Sequence, residues 1–334
     1  MTFISEDTHV LLLLTAPLMV GTGDGAGAPV LSLSEYNKLA QRLKELAAQP
    51  VELISPARTE LIRELSPLLS ADRLETLLDR GFQMSQAIEK WNARGIWITS
   101  RTDADYPELL KTKLQERAPT LIYGCGEKEL LQNGGLAVVG SRGADEQSLE
   151  FTRSVGQLAA SAGVTIISGG AKGVDRAAME GSLEAGGAAV GVLADQLQRL
   201  AVASDCREAI RDGRLTLISL VDPSVGFNVG NAMQRNKIIY CLADAALVVS
   251  LEVNKGGTWA GAIEQLERFK NRAVYVRTNS SSSDGNRELQ SRGALPWPLP
   301  TNVEDFKQTL KTPALNAERF SPDSDLPLFA MQKH

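Results

Sequence analysis

Short, continuously apolar segments alternate with helical patterns from residue 95 onward, and this alternation constrains the fold more than any other feature. The apolar segments are rich in Val, Ile, Leu and Ala, so each predicts a strand buried on both faces. Such strands, joined by helical crossovers, predict an α/β fold with a doubly wound parallel sheet. Strands are predicted near 96–99, 120–123, 136–139, 164–168, 188–193, 215–220, 245–251 and 273–277, and helices at about 145–162, 175–185, 200–211, 232–242 and 258–270.

A glycine turn follows the predicted strand at 164–168 and opens a helix. Its sequence is Ser168-Gly169-Gly170-Ala171-Lys172-Gly173-Val174-Asp175. Backbone N–H groups at such a turn, together with the positive end of the helix dipole, favour an anion. The glycine spacing matches neither the P-loop nor the GxGxxG pattern. The turn indicates a phosphate cradle, and the alternative is a tight turn whose glycines only ease packing.

Two further glycine turns occupy equivalent positions. Gly140-Ser141-Arg142-Gly143 follows the strand at 136–139, and Lys255-Gly256-Gly257-Thr258 follows the strand at 245–251. Parallel strands end at one edge of the sheet, where doubly wound folds bind their ligands. We therefore expect the three turns to converge there. A polyphosphate or a nucleic-acid backbone explains three such turns better than a single small anion does.

A basic segment enters the helix predicted at 232–242. It contains Arg235, Asn236 and Lys237. Positions two apart on a helix do not share a face, so at most one of the two cations points directly at a common site. Asn236, polar among apolar neighbours, is interpreted either as a ligand contact or as a cap on a neighbouring loop.

Residues 1–94 have a different, leucine-rich helical pattern and predict a small N-terminal domain. Ser70 to Gly81 and Ser85 to Gly95 bracket two of its helices. The apolar run at 10–20 is too short and too interrupted to span a membrane, and we interpret it as a core helix. A glycine-rich segment at 21–27 follows no strand and is interpreted as a loop. The predicted organisation is a helical domain at 1–94, an α/β domain at 95–300 and a short tail at 301–334.

Bulk composition excludes several classes of protein. The chain has 334 residues, and its net charge of −5 argues against an indiscriminate nucleic-acid coat, although a local basic groove remains compatible with it. Three separated cysteines and two histidines indicate neither a disulfide framework nor a zinc site. No metal or cofactor is predicted, and a reducing cytoplasm is the expected compartment.

The order of these motifs resembles that of the DNA-processing protein A family, also called Smf. The similarity covers roughly residues 95–300. It rests on motifs that are individually weak but specific in this order: Gly140-Ser141-Arg142, the Ser168–Asp175 turn, Arg235-Asn236-Lys237-Ile-Ile239, Gly256-Gly257-Thr258, and Gly285-Asn286 with Gly293-Ala294.

The resemblance implies an extended Rossmann domain that binds single-stranded DNA, works as a homodimer and hands strands to the RecA recombinase. It assigns phosphate contacts to Arg142, Lys172, Arg235 and Lys237, with backbone N–H groups at the glycine turns holding the phosphates in register. Such binding neutralises phosphates and need not read base edges. For base stacking, Trp259 is a candidate, although a tryptophan that covers the helix start is the favoured interpretation.

The competing class is a nucleotide sensor or a nucleotide phosphoribohydrolase of the same superfamily. Those hydrolases have a Pro-Gly-Gly-x-Gly-Thr-x-x-Glu element, and the corresponding stretch here, 254–264, lacks the proline and the Gly-Thr spacing. Glu264 is therefore interpreted as a solvated helix residue. Glu252 is a candidate ribose ligand, although a loop carboxylate that caps a helix is the favoured interpretation. The sequence favours a non-enzymatic binder of single-stranded DNA over both alternatives.

Overall fold

The computed structural model describes residues 4–18, 28–56, 58–270, 272–278 and 283–312. Within these ranges, a nine-stranded sheet has the strand order β1-β2-β6-β5-β4-β3-β7-β8-β9. Across the sheet, the seven strands β6, β5, β4, β3, β7, β8 and β9 run parallel to one another. β2 pairs with β6, and β1 with β2, in antiparallel fashion. The strands are β1 Trp97–Ser100, β2 Leu121–Cys125, β3 Leu136–Val139, β4 Ile166–Ser168, β5 Ala189–Leu193, β6 Leu215–Ser219, β7 Ala245–Val248, β8 Ala273–Val276 and β9 Leu295–Pro296.

Helices precede, separate and follow these strands. Among the described residues, five α-helices lie before β1: α1 Glu6–Thr15, α2 Leu33–Glu45, α3 Arg58–Leu65, α4 Ala71–Leu78 and α5 Gly81–Asn92. The others are α6 Glu108–Leu114, α7 Glu146–Ser161, α8 Val174–Glu184, α9 Leu197–Leu200, α10 Ser204–Arg211, α11 Val229–Leu242, α12 Gly256–Glu264, α13 Asp284–Ser291 and α14 Val303–Leu310. A π-turn at Gln265–Phe269 extends α12.

The predicted α/β fold is confirmed, and all eight predicted strands are present. The predicted parallel sheet is confirmed for the core strands β3 to β8, and β1 and β2 add an antiparallel pair at one edge. Apolar runs buried on both faces carry no information about direction, so the sequence could not reveal this reversal. α5 begins at Gly81, earlier than Ser85, and the Ser85 hydroxyl donates to the Gly81 carbonyl within the helix.

The side chains of the sheet alternate between two buried clusters. Leu136 and Val138 face one cluster, and Ala137 and Val139 face the other. The first cluster contains α1, α7 and α8, and the second contains α6, α11 and α12. Helices therefore cover both faces, which explains why the strands are apolar throughout.

The N-terminal helices share a core with the sheet. Residues Val10 to Leu14 of α1 are buried on all sides, within the same cluster as strand residues Leu136 and Leu247. The apolar run predicted as a core helix is thus confirmed for its first part, and α1 ends at Thr15, before Pro17. The glycine-rich segment at 21–27 lies outside the described residues. None of the described helices combines the length and apolar character needed to cross a bilayer.

Candidate nucleic-acid interface

The sheet order places three glycine turns side by side. β4, β3 and β7 are neighbouring strands in the sheet. After β3 the chain adds β4, β5 and β6 on one side of it, and then β7 and β8 on the other side, so the strand order reverses between β3 and β7. In doubly wound sheets, ligands bind at the carboxyl ends of the strands beside such a reversal. The predicted convergence of the turns after β3, β4 and β7 on one edge is therefore present in the structure.

Hydrogen bonds tie the turn after β3 to the turn after β4. The Ser168 hydroxyl donates to the Val138 carbonyl at 2.6 Å, and the Val174 N–H donates to the Ser141 carbonyl at 3.3 Å. Gly173 has a φ of 90° and faces the Ser141 carbonyl, so a Cβ there would be strained and would clash. The two turns form one rigid unit.

The turn after β7 joins the same unit. The Thr258 hydroxyl donates to the Gly140 carbonyl at 3.3 Å, and the Asn236 amide donates to the Gly257 carbonyl at 2.8 Å. Asn236 therefore caps a neighbouring loop, which was one of the two interpretations of this residue. Gly256, with a φ of 79°, lies in open space at the start of α12.

Asp175 lies inside the turn after β4 instead of on its surface. Its side chain is buried, with 6% of the residue exposed, and the backbone N–H groups of Gly140, Gly169 and Ala171 lie near enough to favour its charged form. Burial raises the pKa of Asp175, while the Arg235 charge and these three donors oppose the rise. An internal carboxylate thus lies beside amide groups that the sequence analysis had assigned to a phosphate.

Arg235 is the buried partner of Asp175. The residue is 7% exposed, and its Nη1 lies 3.8 Å from the Asp175 carboxylate. A Cβ on Gly169 would overlap the Arg235 guanidinium, so this glycine is required for the close approach. Burial lowers the pKa of Arg235, and Asp175 opposes that change. Arg235 therefore supports the turn after β4 from the interior of the protein.

Two cations of the unit face solvent. Arg142 follows β3 and Lys172 follows β4, and both residues are exposed. Neither forms an ion pair with any carboxylate in the described ranges. The Arg142 guanidinium lies 5.8 Å from the ring centroid of Phe227, a contact that the sequence did not indicate. Burial lowers the pKa of Arg235, and the negative charge of Asp195 lies near enough to oppose that change slightly.

Lys237 is engaged elsewhere. Its ammonium lies 3.1 Å from the Glu264 carboxylate, which Arg268 also approaches at 3.9 Å. Only one of the two helix cations, Arg235, therefore faces the turns, as the helical spacing predicted. Trp259 is 8% exposed, with Arg292 against its ring at 5.7 Å, so it covers the start of α12.

A cavity of about 280 Å³ opens between the ends of β3 and β7. Arg277 lines it; its Nη1 donates to the Ser148 hydroxyl at 2.6 Å, and its guanidinium packs 4.8 Å from the Phe151 ring centroid. Glu252, which also lines the cavity, pairs with Lys255 at 2.7 Å. The cavity is lined by Ser141, Gly143, Ala144, Asp145, Ser148, Val249, Ser250, Leu251, Glu252, Arg277 and Ser283.

The strand order, the reversal between β3 and β7 and the glycine turns at the carboxyl edge define an extended Rossmann-type α/β protein. Within that class, the family model described as DNA recombination-mediator protein A matches residues 97–311. The chain belongs to this family.

Similar proteins agree with this membership. Protein Smf of Escherichia coli is 30% identical over 210 residues, which are 61% of this chain and 54% of that protein. Protein Smf of Synechocystis is 28% identical over 177 residues, 51% of this chain and 44% of that protein. The chain thus spans about half the length of the curated relatives it matches.

Two solved structures share the fold. DNA processing protein A from Streptococcus pneumoniae has a TM-score of 0.65 and 21% identity, covering 92% of this chain and 98% of its own. DNA processing protein A from Helicobacter pylori has a TM-score of 0.52 and 21% identity, covering 65% of this chain and 97% of its own.

Proposed function

We propose that this chain binds single-stranded DNA by its phosphate backbone at the carboxyl edge of the sheet. The observation that carries the proposal is that Arg142 and Lys172 extend into solvent from two turns that are locked together, and no described carboxylate neutralises either one. Lys and Arg that neutralise phosphates supply most of the affinity of sequence-independent binding. The Helicobacter pylori relative is described as having a single-stranded DNA binding mode, which supports the same ligand here.

The residues of the edge divide into two roles under this proposal. Arg142 and Lys172 contact phosphates directly, and N–H groups of the glycine turns that Asp175 does not occupy add further donors. Arg235 and Asp175 act from beneath by fixing the turn after β4, because both are buried. Ser168, Gly169 and Gly173 hold the turns in their observed conformation and need not touch the DNA.

A non-catalytic role in DNA processing follows from this proposal. The strand would be held and then passed to a recombinase such as RecA, with a second copy of the chain completing a homodimer in the cytoplasm. The α/β domain at 95–300 would carry the DNA, and the helical domain at 1–94 would support it through the shared core. Pull-down of RecA, with and without bound DNA, tests the recombinase contact. Light scattering of the purified protein tests the homodimer.

Titration of a labelled oligonucleotide tests the DNA proposal. The wild type should bind single strands in preference to duplex, and Arg142→Ala and Lys172→Ala should each weaken binding. Lys38→Ala is the matched control, because Lys38 is an exposed cation on α2. Equal affinity of all four proteins for the single strand would contradict the proposal.

A nucleotide-sensing function is the second candidate, and the cavity at the end of β3 and β7 favours it. Its volume, Arg277 and several hydroxyl groups suit a phosphorylated small molecule. A phosphoribohydrolase is less well supported, because Glu264 is held by Lys237 and Arg268, and Glu252 pairs with Lys255. Calorimetry with a mononucleotide panel distinguishes the candidates, since micromolar binding of one nucleotide would favour the sensor.

A further inference from the structure

We infer that Phe227 is a stacking surface for one unpaired base of the bound strand. The inference rests on the proposed function, and it assigns a base contact to a residue outside the glycine turns. Its ligand is a nucleobase of any identity, because every base presents a π-face.

The position of Phe227 is the first observation. The residue stands in the connection between β6 and α11, directly before Asn228, whose side chain caps α11 by accepting from the N–H groups of Gly230 and Asn231. This connection reaches across the sheet edge to Arg142, which follows β3. Phe227 therefore lies beside one of the two exposed cations proposed to bind phosphate.

The exposure of the ring is the second observation. Phe227 is 53% exposed, although aromatic side chains contribute most to stability when they are buried. One neighbour of the ring is the Arg142 guanidinium, at 5.8 Å from the centroid. The exposed part of the ring can accept a flat apolar partner without moving any packed side chain.

The chemistry of the surroundings favours a nucleobase over a protein partner. Arg142 could contact a phosphate while Phe227 stacks on the base of the same nucleotide. Proteins that bind single strands without reading their sequence combine these two kinds of contact. Val229 and Met233 extend the exposed apolar surface along α11. An interface between copies of this chain would use the same surface, and the experiment below separates the two.

The test measures affinity for two probes of equal length: a labelled oligothymidylate and a labelled strand whose central positions are abasic. Phe227→Ala should weaken binding of the oligothymidylate by about five- to 150-fold, the range that corresponds to one base–aromatic stack. It should leave binding of the abasic strand unchanged. Phe227→Trp should retain wild-type affinity.

A matched control is available. Phe82 is 72% exposed on α5, so Phe82→Ala removes a similar side chain from the helical N-terminal region and should bind both probes like the wild type. Phe227→Trp provides a second readout, because all four native tryptophans are buried and the new one would be the exposed emitter. Its emission should be quenched by the oligothymidylate and not by the abasic strand.

Three results would overturn the inference. The first is wild-type affinity of Phe227→Ala for the oligothymidylate. The second is an equal loss of affinity for both probes, which would mean that the ring acts only by positioning Arg142. The third is a molar mass of Phe227→Ala, measured by light scattering, that differs from that of the wild type. This result would assign the surface to contact with a second copy of the chain. Failure of the wild type to bind either probe would instead refute the proposed function itself, so the two failures are distinguishable.

Discussion

Replacing Asp175 with Asn should destabilise the protein strongly, because it leaves the buried Arg235 charge without its partner. The two groups are 3.8 Å apart and both are less than a tenth exposed. At an effective dielectric constant of about 20, unit charges at this distance attract by about 4 kcal/mol. Removing one member of a buried pair typically costs about 3–5 kcal/mol, which agrees with that figure.

Urea denaturation followed by tryptophan fluorescence measures the effect. With an m-value of about 3 kcal/mol/M, a loss of this size lowers the midpoint by about 1 to 1.7 M. The matched variant is Arg235→Met with Asp175→Asn, which removes both charges. It should cost less free energy than the sum of the two single variants, because neither charge is then left buried alone.

The reasoning would be refuted if both single variants lost less than about 1 kcal/mol and their effects were additive. Such a result would mean that water or another group already compensates each charge. Single-strand binding by Asp175→Asn should also weaken, because the turn that presents Lys172 is built around this carboxylate. Unchanged binding would show that the Asp175–Arg235 pair is not needed for DNA binding.

Three further predictions concern single sites. Gly169→Ala should lower the melting temperature markedly, since the new Cβ overlaps the Arg235 guanidinium, whereas Gly143→Ala should be tolerated, since nothing lies within 4 Å of its Cβ; equal melting temperatures would contradict this. Lys237→Ala should retain single-strand affinity in a titration, because Lys237 pairs with Glu264 away from the turns, and a loss like that of Lys172→Ala would count against this placement. Hydrogen bonds from Arg73 and from Ser32 lower the pKa of Glu35 from 4.5 to about 2. The stability that charged Glu35 adds is therefore present above pH 4.5 and is lost as the pH falls towards 2. The difference in unfolding free energy between wild type and Glu35→Gln, measured in urea, should shrink over that range, and a constant difference would refute it.

The strands of the sheet could be predicted because their signal is local. A continuous apolar run bounded by glycine, as at Leu136–Val139, predicts a strand buried on both faces wherever it occurs. Because parallel strands end at the same edge of a sheet, glycine turns that directly follow such strands could then be predicted to lie at one edge. The direction of β1 and β2 could not be predicted, because it depends on which strand each one reaches after folding.

The roles of the charged residues were less predictable. Arg235 and Lys172 are both cations near glycine turns in the sequence, yet one is buried against Asp175 and the other is exposed. That distinction depends on the path of α11 beneath the turn after β4, which no local pattern encodes. Phe227 was missed for the same reason, since its contact with Arg142 joins residues from separate crossover units.

The salt dependence of single-strand affinity tests the central claim most directly. Each phosphate neutralised on a single strand contributes about 0.7 to the slope of log K against log salt concentration. The account predicts a steep negative slope for the wild type, and a slope shallower by about 0.7 for Arg142→Ala and for Lys172→Ala. A wild-type affinity that does not change with salt, or variant slopes identical to that of the wild type, would contradict it.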